Sequence, residues 1–283
     1  MDMDKALEAK FRIFACEARM LTLKTFHESG QRCHYGGSFS SAEILSVLYN
    51  GILKIDPSNP KWESRDHFIL SKGHMAGMFY SVLALGGFFD KERLSTYCQL
   101  DSAFGMHTTL NVPGCDFAAG SLGHGLGVGV GLALAKKLEK MESRVFVHMG
   151  DGELNEGSVW EAAMSAAKYK LSNITATVDR NHLQIGGCTE DIMPLDPLED
   201  KWKSFGWSVK TVDGHDVGGL FEVLSSVPFE MDKPSCIIAE TIKCKGIAFL
   251  EGKVQCHIAK LKDQEYLESL RALEDCREEC LRI

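Results

Sequence analysis

Arg144-Val145-Phe146-Val147-His148-Met149-Gly150-Asp151-Gly152 and Ile174-Thr175-Ala176-Thr177-Val178-Asp179-Arg180-Asn181 are the two stretches whose reading decides the fold. Each is a short apolar, β-branched run that ends on polar residues. Residues 144–149 and 174–178 therefore read as buried strands, and Ser158 to Lys170 between them as a helix. Two strands joined by a crossover helix are neighbours in a parallel sheet. Ligands of such sheets bind beyond the carboxyl ends of the strands. Asp151 and Asn181, thirty residues apart, are thus delivered to one place. A carboxylate and an amide oxygen are hard ligands that suit Mg²⁺, with Ca²⁺ or Mn²⁺ as alternatives. Mg²⁺ takes few protein ligands and fills its shell with phosphate oxygens and water. Gly150 and Gly152 let backbone approach such a phosphate group. Gly157 and Ser158 open the next helix, whose N-terminus favours anions. A bare Gly-Asp-Gly is only a turn; the interval, the strand context and the flanking words single this one out.

Outward from this unit, the chain alternates helices and strands. Residues 4–28 predict a long amphipathic helix through Leu7, Phe11, Phe14, Ala18 and Leu21. Residues 40–53 predict a second, capped by Ser40-Ser41. Asp66 to Ser71 is a short buried strand, followed by a helix over Ala76–Leu85. A glycine-rich stretch at 120–131 leads into helix as far as Glu139. Trp207–Val212 and Cys236–Thr241 are strands with a helix at about 216–226 between them, and a charged tail helix covers about 258–283. The expected architecture is one α/β domain over 1–283, with a mostly parallel sheet flanked by helices. The glycine stretch fails G-x-G-x-x-G, because Val128 and Val130 occupy the needed positions, so no dinucleotide fingerprint is present. Neither a P-loop nor an H-E-x-x-H motif occurs.

Composition narrows the function classes. The 283 residues carry 45% hydrophobic and 25% charged side chains, an ordinary globular balance. A net charge of −8 with no basic run argues against a nucleic-acid surface. The start, Met1-Asp2-Met3-Asp4-Lys5, is too charged for a signal peptide, and no apolar run is long enough for a membrane span. A cytoplasmic location is expected. The ten cysteines are scattered without a C-x-x-C pair, which reads as reduced thiols and no zinc site. Cys276 and Cys280, one helical turn apart, read as residues of a helix face.

The run Gly150-Asp151-Gly152-Glu153-Leu154-Asn155-Glu156-Gly157-Ser158-Val159-Trp160-Glu161-Ala162, with Asn181 at its interval, resembles the thiamine-diphosphate signature, and that of transketolases in particular. The words around His34, Ser71-Lys72-Gly73-His74, Gly105-Met106-His107 and Gly120-Ser121-Leu122-Gly123-His124-Gly125 follow in the family's order. The resemblance covers roughly residues 10–260 and implies the thiamin-diphosphate-binding fold, as its diphosphate domain. It implies that Asp151 and Asn181 hold the metal through side chains and Leu183 through its carbonyl. Gly152, Glu153, Asn181 and His74 would meet the cofactor near its diphosphate and metal, Ile185 its thiazolium ring, and Gly120, Ser121 and Leu122 its rings. His34, His74, His107 and His257 would form the catalytic and substrate-channel set, while His67, His148 and His182 stay structural. Glu156 and Glu161 read either as helix-dipole partners or, by resemblance, as a carboxylate network across a subunit interface. Two words depart from the family. Ser29-Gly30 is separated from His34 by Gln31-Arg32-Cys33, and Met106 stands between Gly105 and His107. Both departures fall where substrate would enter.

The resemblance also implies the activity: transfer of a two-carbon ketol unit between a ketose phosphate and an aldose or aldehyde. The glutamate that activates the cofactor's aminopyrimidine lies, in that family, on a second domain that this chain does not contain. A C-terminal partner subunit is expected to supply it, in an α2β2 assembly. The alternatives are a component of a 1-deoxyxylulose-phosphate synthase-like or 2-oxo-acid dehydrogenase-like enzyme, or a non-catalytic cofactor-binding homologue.

Overall fold

The computed structural model describes residues 3–282. Its helices are α1 Lys5–Ser29, α2 Tyr35–Phe39, α3 Ala42–Val47, α4 Ala76–Leu85, α5 Gly125–Leu138, α6 Gly157–Lys168, α7 Thr189–Ile192, α8 Leu198–Ser204, α9 Val217–Ser225 and α10 Asp263–Cys280. Its strands are β1 His67–Leu70, β2 Val145–Gly150, β3 Ile174–Arg180, β4 Leu183–Gln184, β5 Gly187–Cys188, β6 Ser208–Asp213 and β7 Ser235–Glu240. Five strands form a parallel sheet in the order β1-β2-β3-β7-β6, and β4 pairs with β5 in a small antiparallel hairpin. The expected parallel α/β sheet is therefore present, with β2 and β3 adjacent and in register from Val145–Ile174 to Gly150–Asp179.

Side chains alternate across the sheet, as the pleat requires. Phe68, Leu70, Phe146 and Ile237 join a core with α1, α3, α4 and α9. Ile69, Val145, Val147, Met149 and Val178 join a second core with α5, α6 and α8. Helices thus cover both faces, which a parallel sheet needs in order to bury its strands. On α1, Asp4 accepts a capping hydrogen bond from the Ala6 N–H at 3.1 Å, and Phe11, Ala18, Leu23 and Phe26 are buried. Burying each large side chain contributes about 1.5–3 kcal/mol. The glycines of α5 serve close packing at particular places. A Cβ at Gly129 would lie 2.6 Å from Val147 Cγ2, and one at Gly125 would lie 2.4 Å from Ser71 Cβ.

Three expectations need correction. The helix expected over 40–53 is divided into α2, α3 and a π-turn at Leu48–Ile52. Ser40 and Ser41 do not cap it, because their hydroxyls donate to the Gly37 carbonyl and to Asp179 instead. The tail helix starts at Asp263, not 258. Residues before it are held elsewhere, since Ala259 pairs with Cys33 through two backbone hydrogen bonds of 2.8 and 2.9 Å. The elements β4, β5, α7 and α8 carried no periodicity to read. They are organised by Arg180, which donates to Thr189 at 2.8 Å and to Glu190 at 2.7 Å. Among the described residues, no helix is long and apolar enough to cross a membrane.

Candidate functional site

Four neighbouring strands end on one rim, and each is followed by a residue with chemistry. Lys72 and His74 follow β1, Asp151 follows β2, Asn181 follows β3 and Lys243 follows β7. Chain order leaves β3 for the far edge strand β6 and returns through α9 to β7, which fills the place between. A change of direction in strand order opens a crevice at the carboxyl ends.

Asp151, Asn181 and the Leu183 carbonyl converge there around a positive charge of the chain itself. The Lys243 ammonium donates to the Leu183 oxygen at 2.7 Å and to Asn181 Oδ1 at 3.4 Å. Asp151 accepts the Gly152 N–H at 2.8 Å and the His182 N–H at 2.6 Å. Arg180 Nη1 stands 3.6 Å from its other side. Asp151 is only 2% exposed. Burial, reinforced by the charge of Asp179, pushes its carboxyl up to about 6. Burial also pulls the Lys243 ammonium down, against the attraction of Asp151 and Asp179. A divalent cation fits this donor set. The oxygens are hard, a cationic group already rests on two of them, and the buried carboxylate lacks sufficient compensating charge.

Beneath the rim lies Asp179, fully buried in β3. Lys72 forms an ion pair with it, and Thr241 donates to it through its hydroxyl. Ser40 donates at 2.6 Å and Asn181 Nδ2 at 3.2 Å. Burial opposes ionisation, but the Lys72 and His148 partners outweigh it and hold Asp179 well below the usual carboxylate range. This network fixes the loop after β1 against the tip of β3, and with it the backbone that carries His74.

The structure brings His34, His74, His107 and His257 together. The His34 ring centroid is 5.2 Å from His74, 5.6 Å from His257 and 6.3 Å from His107, and His74 is 5.5 Å from His257. The Cys33–Ala259 bridge accounts for the meeting of His34 and His257, since it pins the two distant segments side by side. The insertion before His34 therefore does not displace it from the group. Burial holds His34 down to about 4, aided by His107 and Lys243. Burial does the same for His257, at about 4, with Lys243 assisting. His74 lies well below its ordinary value through burial and Lys72. Buried Nδ1 atoms of His34 and His257 have no hydrogen-bond partner among the described residues. Neutral imidazoles with free nitrogens suit hydrogen bonding to hydroxyl or phosphate oxygens.

The remaining expected residues are placed as follows. Gly120 and Ser121 are exposed and Leu122 half-buried, on a loop held by Glu153. The Glu153 carboxylate accepts from Gly123 N–H at 2.8 Å, Gly150 N–H at 3.1 Å and Ser71 Oγ at 2.5 Å. It is turned inward and ties three loops together. Gly152 packs against Gln184, where a Cβ would lie 3.0 Å away. Ile185 is 69% exposed at the tip of the β4–β5 hairpin. Glu156 and Glu161 are both exposed on α6 or at its start. His148 is buried between Thr177 and Ser41, at 2.8 and 2.9 Å. His67 pairs with Asp116 and His182 with Glu240. Sequence reasoning missed Lys72, Asp179, Arg180 and Lys243 as members of this site. Lys72 lay inside a quoted word, and Lys243 stands just past a strand end, so reading every strand tip for charged groups would have found both.

The transketolase family model, described as the thiamine diphosphate binding domain, matches residues 12–274. A 6-deoxy-6-sulfo-D-fructose transketolase subunit from a Clostridium species is 40% identical, over 90% of this chain and 93% of its own. One of the two subunits named for an apulose-4-phosphate transketolase in Phocaeicola vulgatus is 39% identical, over 86% of each chain. Among solved structures, the transketolase of Campylobacter jejuni superposes with a TM-score of 0.88 at 27% identity. That match covers 98% of this chain and 46% of the other, so this chain spans just under half of that enzyme's length. The chain belongs to the transketolase family, as its thiamine-diphosphate-binding domain.

Proposed function

We propose that this chain is the cofactor-binding subunit of a two-chain, cytoplasmic transketolase that moves a two-carbon ketol unit from a ketose phosphate, or a ketose with another terminal anion, to an aldose or aldehyde. The observation that carries the reading is the Lys243 ammonium seated on Asn181 Oδ1 and the Leu183 carbonyl beside Asp151, next to the four-histidine cluster. In this reading Asp151, Asn181 and Leu183 hold Mg²⁺, while His74 and Gly152 meet the diphosphate. Gly120, Ser121, Leu122 and Ile185 meet the rings, and Glu153 orders the loops that present them. When bound, thiamine diphosphate supplies the carbon nucleophile and electron sink for breaking and remaking the bond beside a ketone. His34, His107 and His257, two of them held neutral by burial, orient the sugar hydroxyls and pass protons at their free nitrogens.

Relatives of matching length are named as subunits, which supports a partner chain. The partner would contribute the glutamate for the aminopyrimidine, in an α2β2 assembly. Relatives named for a sulfonated and a branched sugar support a donor outside the commonest ketose phosphates. The test is reconstitution. The purified chain should bind thiamine diphosphate weakly, only with Mg²⁺, and show no ketol transfer. Adding the partner chain should tighten the cofactor and start transfer on a panel of phosphorylated and sulfonated ketoses. Full activity from this chain alone would refute the two-chain reading.

A further inference from the structure

Far along the chain from the strand-tip site, three cysteines converge where the last helix meets the first. Cys16 lies on α1, and Cys276 and Cys280 lie one turn apart on α10. Their sulfur atoms all lie within 4.8 Å of one another. Cys16 Sγ is 3.3 Å from Cys276 Sγ. Cys16 is 4% and Cys280 8% exposed, while Cys276 opens to solvent. The two helices are fixed in this relation by other contacts. Arg277 donates to Glu17 at 2.8 Å, and the Tyr266 ring stacks on His27 at 4.0 Å. The thiols therefore meet at a packed helix–helix junction and not on a free tail. Reading Cys276 and Cys280 as ordinary helix-face residues missed Cys16, which sequence spacing gives no means of adding.

We propose that Cys16, Cys276 and Cys280 form a trithiolate site for a thiophilic d¹⁰ cation of the Zn²⁺ class. The geometry suits this ion. Metal–sulfur bonds of about 2.3 Å in a tetrahedron separate sulfurs by about 3.8 Å. The observed cluster reaches that spacing if Cys16 and Cys276 move apart by about half an ångström. Cys276 faces solvent, so water can fill the fourth position and the ion has a way in. Binding replaces three S–H bonds with three metal–sulfur bonds and releases three protons, with no change of oxidation state. Thiolates are favoured here. The hydrogen bond from Cys16 draws the Cys276 thiol down to about 6, and the Arg19 guanidinium adds to this. Soft sulfur selects against Mg²⁺ and Ca²⁺, so the site is chemically separate from the oxygen donors at Asp151 and Asn181. The family match ends at residue 274, before Cys276 and Cys280. Once filled, the site would clamp α10 to α1.

Cobalt(II) titration of the reduced full-length chain tests this, because thiolate-to-cobalt charge transfer gives a near-ultraviolet band that oxygen or imidazole ligands do not produce. The expected result is one equivalent of cobalt with this band, displaced by Zn²⁺. Cys276→Ser, at an exposed position that does not threaten folding, should lose at least tenfold in affinity, and Cys16→Ser should abolish the band. Cys98→Ser should leave it unchanged. The absence of a charge-transfer band in the reduced chain would overturn the proposal. So would a band that survives Cys276→Ser, or a Cys16–Cys276 disulfide as the only modified state recovered, with no cobalt bound after reduction.

Discussion

Asp179 shows how a single residue sustains the site without facing it. Its carboxylate is fully buried and gathers Lys72, Ser40, Thr241 and Asn181. A buried ion pair is costly to break from one side, because the remaining charge has no solvent to turn to. Asp179→Asn should therefore destabilise the chain by about 3–5 kcal/mol in urea unfolding. Lys72→Met should cost less, because the hydroxyls of Ser40 and Thr241 still serve the carboxylate. The double variant should recover part of the loss, giving a coupling of about 1–3 kcal/mol between the two positions. Strict additivity in that cycle would mean that the pair does not act as a unit. Lys243 illustrates what sequence could not convey at this scale. It sits in a coil with no pattern, and its importance appears only because β7 lies beside β3.

Among the elements, α5 is the one whose sequence explains its packing position by position. Gly129 faces Val147 of β2 with no room for a methyl group, while Gly131 has nothing within 4 Å of where a Cβ would be. Gly129→Val must lift the helix from the sheet, which overpacking data place at about 1–3 kcal/mol of lost stability. Gly131→Ala should be neutral or stabilising by up to about 1 kcal/mol, since alanine is the better helix former. Chemical denaturation of the two variants would separate them, and equal losses would contradict the packing account. Elements of this kind were legible. The strands are apolar runs bounded by polar tips, and α1, α4, α5, α6 and α9 carry helical periodicity or clear stops. The region from Leu183 to Ser204 was not legible, because Arg180 organises its short elements through Thr189 and Glu190 and no local pattern does. The fragmentation of the 40–53 helix has the same origin, with Ser40 and Ser41 drawn to Asp179 across the fold.

At the scale of the whole molecule, the convergence of four histidines makes stability depend on pH. The motif residues around Asp151 and Asn181 could be placed from sequence because each follows a strand. The meeting of His34 with His257 could not, because it rests on a bridge between Cys33 and Ala259 that joins remote segments. Bringing those imidazoles together under cover holds His34 and His257 at about 4, His148 at about 3 and His74 well below its ordinary value. In the unfolded chain each titrates near about 6.5. Between about pH 6.5 and 4 the unfolded state therefore binds more protons, and stability falls as pH falls. Asp151 acts in the opposite sense. Its folded value of about 6 exceeds the unfolded value near about 3.9, so over that window the folded state holds the extra proton. One carboxyl offsets only part of the effect of four histidines. The melting temperature of the chain should thus drop steadily from pH 7 to pH 5. His34→Gln combined with His257→Gln should flatten that slope, while the residual slope from His148 and His74 remains. A pH profile that the double variant leaves unchanged would show that these two imidazoles are not held neutral by the folded chain. The crowding that gives the site its unprotonated nitrogens would then need another explanation.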